Sequence, residues 1–233
     1  EIAQCLVGSE MCIRDRMKEE KNLLAEAEIR ALQAQINPHF LYNTLDSIIW
    51  MAEGRKYEEV VLMTASLARL LRQSISNEDE VVPLAREVEY AKGYLTIQKM
   101  RYKDKLEFEI DVEPSILNIP LIKLVLQPII ENAIYHGLKY KESKGLLQVK
   151  GFMKDGNAVL QVIDNGVGMD EETLSHIYDK HKVNYHSNGV GVYNVQKRLK
   201  LYYGENYGIT YESEKDVGTT ATITIPGIQE ESI

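Results

Sequence analysis

The stretch that decides the fold is Ile163-Asp164-Asn165-Gly166-Val167-Gly168-Met169-Asp170, an acidic turn with two glycines. The apolar run before it, residues 158–163, predicts a strand that ends at Asp164. A carboxylate there can accept a hydrogen bond from an exocyclic amine such as that of adenine. Gly166 and Gly168 allow the backbone to approach a ligand, because glycine has no Cβ. The stretch predicts a ligand-lining turn, and a plain tight turn is the alternative when it is considered alone.

Three other stretches fit the same pocket. They are Glu131-Asn132-Ala133-Ile134-Tyr135-His136-Gly137, Asn188-Gly189-Val190-Gly191 and Gly218-Thr219-Thr220. In this order, the four stretches resemble the GHKL-type ATPase domain shared by gyrase, the heat-shock chaperones, the mismatch-repair ATPases and sensor histidine kinases. A single stretch is unspecific, whereas four in order are specific. The resemblance implies that the ligand is ATP.

An upstream stretch narrows the family. Gln35-Ile36-Asn37-Pro38-His39-Phe40-Leu41-Tyr42-Asn43-Thr44-Leu45 resembles the phosphoacceptor box of the LytS-type sensor histidine kinases. The resemblance covers about residues 17–228. It implies that His39 is phosphorylated from ATP and that the phosphoryl group passes to an aspartate of a response regulator. The alternative is a histidine on the flank of a helix that follows a proline kink.

The resemblance also implies roles in the pocket. The family's helix asparagine ligates Mg²⁺ between the nucleotide phosphates and the acid before it handles a proton, which here are Asn132 and Glu131. A single amide oxygen is a reasonable ligand, since Mg²⁺ prefers oxygen and keeps several waters. The alternative is an exposed Glu-Asn pair at a helix end. The other cofactor-binding residues implied by the family motifs are Asp164, Gly166, Gly168, Gly189, Gly191 and Thr219.

Some of these assignments remain open. Gly189 and Gly191 flank a predicted helix start, where N–H groups suit a phosphate, whereas Thr219 also fits an ordinary strand. Phe40 follows His39 where many histidine kinases of other subfamilies have an acid. The general base is therefore open among Glu131, Asn43 and the neutral ring nitrogen of His39. The polar residues 180–187, with His181 and His186, predict a lid over the triphosphate.

A seven-residue apolar repeat runs through the first part of the chain. Its seam positions are Met17, Leu24, Ala31, Pro38 and Leu45, with Ala27, Ala34, Leu41 and Ile48 at the second seam position. This spacing is typical of a coiled coil, but the alanines bury little area, so we expect a bundle to complete it. A second amphipathic pattern at residues 57–75 supplies the partner helix. Two such hairpins predict a homodimer with a four-helix bundle.

Local patterns predict the remaining elements. Residues 87–101 predict a helix, and residues 106–112, 146–153 and 158–163 predict strands, the last two joined by a hairpin turn. Asn118 and Pro120 predict a helix start, with Pro128 bending or splitting that helix. Residues 170–179 predict a short helix capped by its acids.

These patterns divide the chain into three predicted segments. Residues 1–16 hold both cysteines and show no period, so we interpret them as a tag-like segment or sequencing scar. Residues 17–80 form the helical dimerisation and phosphoacceptor region, and residues 81–233 form the ATP-binding catalytic domain. The predicted fold class is α+β: a helical hairpin that forms a dimeric four-helix bundle, followed by a GHKL-type α/β sandwich.

Composition limits the partners. A chain of 233 residues with 44% hydrophobic and 27% charged residues is typical of a soluble globular protein. Its net charge of -8 argues against a nucleic-acid partner, which needs a basic surface. No apolar run is long enough to span a membrane, so membrane attachment is expected only through segments absent from this chain. The family resemblance implies the cytoplasmic domain of a membrane-anchored receptor.

Three functional hypotheses follow. The first is a kinase core that autophosphorylates His39 with Mg-ATP and passes the phosphoryl group to a response regulator. The second is a degenerate nucleotide-binding regulator without kinase turnover. The third is an ATP-driven clamp of the gyrase or chaperone group, which has no need for the upstream Asn37-Pro38-His39-Phe40.

Overall fold

A computed structural model describes residues 38–75, 81–177 and 189–227. The tag-like residues 1–16, the seam positions before Pro38 and the predicted lid at 180–187 lie outside the described residues. The helices are α1 (Pro38–Glu53), α2 (Tyr57–Ile75), α3 (Leu84–Tyr102), α4 (Leu126–Asn132), α5 (Glu171–Ser175) and α6 (Gly189–Tyr203). The strands are β1 (Val81–Pro83), β2 (Leu106–Val112), β3 (Pro120–Ile122), β4 (Gly145–Lys154), β5 (Asn157–Asp164), β6 (Gly208–Glu214) and β7 (Gly218–Pro226).

Helices α1 and α2 form the predicted hairpin, and α2 has the predicted bounds. Its residues Met63, Leu67 and Leu70 recur at helical spacing and are buried. This stripe packs against α3, where Gly93 leaves room for the Leu70 side chain. Leu45, the last predicted seam position, remains 47% exposed on α1. Within one chain, the hairpin therefore buries the apolar stripe of α2 against α3, and part of the predicted seam on α1 remains exposed to solvent.

The central sheet has five strands in the order β2-β4-β5-β7-β6. Only β2 and β4 pair in parallel; the other neighbours are antiparallel. Asp155 and Gly156 join β4 to β5 with φ angles of 50° and 77°, as a two-residue turn with two positive φ values requires. The predicted hairpin is confirmed, because two strand-forming runs flank a turn whose residues tolerate positive φ.

One face of this sheet carries the core. Along a strand, alternate residues share a face, and paired residues on neighbouring strands lie side by side. Val149, Val162 and Ala221 are neighbours in the register and are buried beneath the helices. Asp164 pairs with Leu147 and Thr219, so it lies on this same face at the end of β5. The sheet thus directs Asp164 towards the helical layer.

The prediction for residues 118–125 is wrong. Residues 120–122 form β3, which pairs antiparallel with β1, and the helix begins only at Leu126. Pro128 is then the third helical residue, where a backbone N–H has no partner within the helix. Proline therefore does not split the helix, which continues as a π-helical turn, Ala133–Leu138.

The mixed helix-and-sheet fold predicted from the sequence is confirmed. The division at residues 80 and 81 stays a prediction, and α3 packs on α2 across it. Within the ranges that the structure describes, no helix has both the length and the apolar character needed to cross a bilayer.

Candidate functional site

A cavity of about 580 Å³ lies between the sheet and the segment formed by α4 and the π-helical turn. A volume of this size suits a nucleotide-sized ligand. Its wall combines apolar residues with polar groups from four parts of the chain: Asn132, His136, Asp164, Gly168, Glu172, Thr173, His176, Tyr211 and Thr219. Of the residues predicted to bind the cofactor, the structure brings Asn132, Asp164, Gly168 and Thr219 together here.

Asp164 is the buried acid of the cavity, with 6% of its surface exposed. Its Oδ1 accepts a hydrogen bond from the N–H of Gly166 at 2.8 Å, and the carboxylate also accepts one from the N–H of Thr219. Burial raises the pKa of Asp164 to about 6, although both backbone donors and Lys141 act in the opposite direction. The side chain is held rigidly and can accept a hydrogen bond from an amine inside the cavity.

Gly166 and Gly168 bring segments of the protein itself close together. A Cβ on Gly166 would lie 2.5 Å from the carbonyl oxygen of Gly137, and Val167 donates a hydrogen bond to that same oxygen at 3.1 Å. Gly168 has a φ of 62° and a Cβ there would collide with the Glu214 carbonyl. Gly168 lines the cavity, whereas Gly166 is absent from its wall. The turn therefore packs directly on the π-helical segment, because Gly166 has no Cβ and Val167 donates a hydrogen bond to Gly137.

Asn132 is the last residue of α4 and lines the cavity opposite the sheet. Its Oδ1 is buried and has no hydrogen-bond partner among the residues that the structure describes. A buried acceptor without a partner costs free energy, so such an atom points to a missing ligand. An amide oxygen is a ligand of the kind that Mg²⁺ accepts. Among the described residues, no cluster of three or more His, Cys, Asp or Glu could hold a metal ion without the nucleotide.

Glu131 precedes Asn132 but does not line the cavity. It is buried, its Oε1 accepts a hydrogen bond from Gln127 at 2.8 Å, and burial raises its pKa. Burial is the largest cause that raises the pKa of Tyr94 on α3, and the charge of the Glu131 carboxylate is the next largest. Glu131 therefore faces the α3 side of α4, since Asn132 takes the cavity side.

The remaining predicted site residues lie elsewhere. Gly191 is in the first turn of α6, where a Cβ would lie 3.3 Å from Pro128, and it is absent from the cavity wall. Gly189 is the first residue of α6. His39 is the second residue of α1, and its side chain lies outside the described part of the chain, as do His181 and His186. The roles of these residues stay predictions.

Five polar residues of the wall were not predicted as site residues: His136, Glu172, Thr173, His176 and Tyr211. Asp170 caps α5 by accepting a hydrogen bond from the N–H of Thr173 at 2.9 Å, and α5 ends at Ser175, before the predicted end at 179. The acidic cap was visible in the sequence. Tyr211 could have been found from the period of β6, which places it on the same face as the buried Ile209.

Comparison with known proteins identifies the family. The family model "Histidine kinase" matches residues 27–106, and "Histidine kinase-, DNA gyrase B-, and HSP90-like ATPase" matches residues 118–229. Over 208 residues the chain is 36% identical to the sensor histidine kinase YesM of Bacillus subtilis. The chain belongs to the sensor histidine kinases. The resemblance predicted from the sequence is therefore confirmed, and the cavity lies within the ATPase match of this kinase chain, which implies ATP binding.

Other similar proteins also match most of this chain. The sensor protein LytS of Oceanobacillus iheyensis is 34% identical over 88% of this histidine kinase chain. The chain spans about a third of these curated relatives, 35% of each. The histidine kinase domain of the blue-light activated kinase from Erythrobacter litoralis EL346 has a TM-score of 0.48 and 15% identity, covering 84% of this chain and 92% of that chain. The family assignment rests on the sequence matches.

Proposed function

We propose that this chain is a kinase core that transfers the γ-phosphoryl group of ATP to His39 and then to an aspartate of a response regulator. The observation that carries the proposal is the buried Asp164 in a cavity of about 580 Å³ whose wall also holds the unpartnered oxygen of Asn132. The Asp164 carboxylate offers a hydrogen-bond acceptor for the adenine base. The Asn132 oxygen offers a ligand for Mg²⁺ at the phosphate end of the nucleotide. The upstream match at residues 27–106 contains the acceptor candidate.

Asp164 would bind the exocyclic amine of adenine, because it is a fixed acceptor at the floor of the cavity. Gly168 and Thr219, both in the wall, would contact the adenine side. Asn132 would hold Mg²⁺ together with the phosphate oxygens. When bound, Mg²⁺ would neutralise charge on the phosphates. Gly189 and Gly191 would present N–H groups at the start of α6 to the phosphates.

In the transfer, a neutral ring nitrogen of His39 would attack the γ-phosphorus. The nitrogen–phosphorus bond forms, the bond from that phosphorus to the bridging oxygen breaks, and ADP leaves with the electron pair. The general base stays open among Glu131, Asn43 and the neutral ring nitrogen of His39 itself. Burial raises the pKa of Glu131, but its side chain faces α3 and not the cavity, so its part in this proton transfer stays a prediction.

The protein would act as a homodimer through its helical hairpin. Tyr42, Leu45 and Ile49 lie on one face of α1 and are exposed, as are Val61 and Leu62 on α2. Clustered apolar side chains of this kind mark an interaction surface. A second hairpin would cover them and complete a four-helix bundle. We further expect the full protein to be a membrane-anchored receptor, with this chain on its cytoplasmic side.

The test is to incubate the purified chain with γ-labelled ATP, with and without Mg²⁺, and to treat the product with acid and alkali. We expect label that is stable in alkali and lost in acid, as phosphohistidine is, and transfer of that label to an added receiver domain. Acid-stable label would contradict the acceptor. ATP binding without any labelling would favour the degenerate regulator.

A further inference from the structure

A buried carboxylate outside the cavity holds the start of α4. Glu87 lies in the first turn of α3 and is 6% exposed. Its Oε1 accepts a hydrogen bond from the N–H of Leu124 at 2.8 Å. Its Oε2 accepts hydrogen bonds from Val125 at 2.9 Å and Leu126 at 3.1 Å. One side chain thus satisfies three consecutive backbone donors.

Without Glu87, this helix start would lack acceptors. The first N–H groups of a helix have no partner within the helix, and α4 has no side-chain cap of its own at Val125. Leu124 also has a φ of 60°, a left-handed conformation that a leucine adopts only when its surroundings enforce it. Burial raises the pKa of Glu87, and the three backbone hydrogen bonds act against that shift because they favour its charged form. The carboxylate therefore fixes both the turn and the helix that follows.

Helix α4 is short, so its two ends move together. It has seven residues, which corresponds to about 10 Å of rise, and Asn132 is its last residue. A displacement at Leu126 would therefore reach Asn132 and move its Oδ1 relative to the cavity. Glu87 itself does not line the cavity, so its effect on a ligand is indirect, and its three hydrogen bonds lead to the start of α4.

We propose that Glu87 is a positioning residue for the phosphate end of the nucleotide site, because it holds α4 where Asn132 faces the cavity. The inference rests on the proposed function, in which Asn132 binds Mg²⁺ with the nucleotide. The adenine end and the phosphate end of the site thereby have different structural supports. The Asp164 end is built on the sheet, at the end of β5, whereas the Asn132 end lies on α4 itself.

The test uses Glu87→Ala and Glu87→Gln, with Glu89→Gln as the matched control. Glu89 is on the same helix, but it is exposed and forms an ion pair with Arg86 at 3.7 Å. Binding of ADP is measured by calorimetry with and without Mg²⁺, and folding is checked by thermal unfolding. We expect unchanged ADP affinity without Mg²⁺ in all variants. The gain in affinity from Mg²⁺ should fall about tenfold or more in Glu87→Ala.

Glu87→Gln should lose less than Glu87→Ala, because its amide oxygen still accepts hydrogen bonds from the loop, and Glu89→Gln should behave as wild type. Equal Mg²⁺ gain in wild type and both Glu87 variants would overturn the positioning role. So would unfolding of both Glu87 variants, since Glu87 would then support the whole fold. A wild type without any Mg²⁺ gain would instead contradict the proposed function.

Discussion

The ring of Phe40 stacks on the ring of Tyr94, with centroids 4.9 Å apart and the ring planes inclined by 30°. Phe40 directly follows His39 on α1, and Tyr94 lies within α3. Both side chains are buried, and Gln98 donates a hydrogen bond to the Tyr94 hydroxyl at 2.7 Å. This stacking therefore joins the start of the predicted acceptor helix to the part of the chain that carries the cavity.

Replacing Phe40 with Ala should separate α1 from α3. Truncation of a buried phenylalanine lowers the free energy of unfolding by about 3–5 kcal/mol, and a helix at the edge of the fold should lie near the lower value. Urea unfolding would measure the change, and hydrogen exchange would locate it in α1. Tyr57→Ala is the control, since this ring is exposed. Equal effects of the two substitutions would show that the stacking does not stabilise the fold.

Asp164→Asn should weaken ATP binding more than it weakens binding of a nucleotide that lacks the exocyclic amine. A hydrogen bond to a buried charged group contributes about 1.5–3 kcal/mol, so the loss should be about tenfold to a hundredfold. Calorimetry with both nucleotides provides the measurement. Asp155→Asn, at the exposed tip of the β4–β5 turn, is the control. Unchanged ATP affinity in Asp164→Asn would remove Asp164 from the adenine role.

Asp164 should also give the protein a pH-dependent stability. Burial raises its pKa to about 6 from 3.8, so the folded state binds this proton more tightly than the unfolded chain does. Its contribution to stability is present below about pH 4 and is lost as the pH rises through 6. Between about pH 4 and pH 7, the free energy of unfolding of the wild type should fall relative to Asp164→Asn by up to about 3 kcal/mol. Urea titrations of both proteins would measure this difference, and a constant difference would contradict it.

Asn132→Ala should abolish Mg²⁺-dependent labelling while leaving the protein folded. The Oδ1 atom that is removed has no hydrogen-bond partner in the described part of the chain, so the free energy of unfolding should change by less than about 1 kcal/mol. Labelling with γ-labelled ATP and thermal unfolding test the two halves of this expectation. Asn118→Ala, at an exposed position, is the control. Labelling of Asn132→Ala at the wild-type rate would refute its role as a metal ligand.

His39→Gln should abolish labelling without preventing ATP binding or dimerisation, because no residue of the cavity wall or of the exposed apolar face is changed. Labelling, calorimetry and sedimentation provide the three measurements. A loss of stability above about 1 kcal/mol would show that His39 is partly structural. Label that persists would place the acceptor elsewhere, and the same substitution at His136, His176, His181 and His186 would find it.

The sequence by itself determined the elements whose information is local. The strand-forming runs of β4 and β5 and the Asp-Gly turn between them specify one hairpin, and the amphipathic pattern of α2 gave its two ends. The apolar run before Asp164 placed it at a strand end, whereas the register of the sheet decided which face it lies on. The ordered glycine, asparagine and threonine stretches were enough to indicate an ATPase, since each is a contiguous pattern.

Only the tertiary structure decided the features that join distant parts of the chain. Residues 120–122 became a strand because they pair with Val81–Pro83, which no local period reveals. Glu87 looked like an ordinary helical acid until its carboxylate met three N–H groups across the fold, from 37 to 39 positions away. Gly166 was expected to approach a ligand, yet it touches Gly137. Local sequence sets backbone preferences, whereas long-range hydrogen bonds and close contacts depend on where the whole chain brings its segments together.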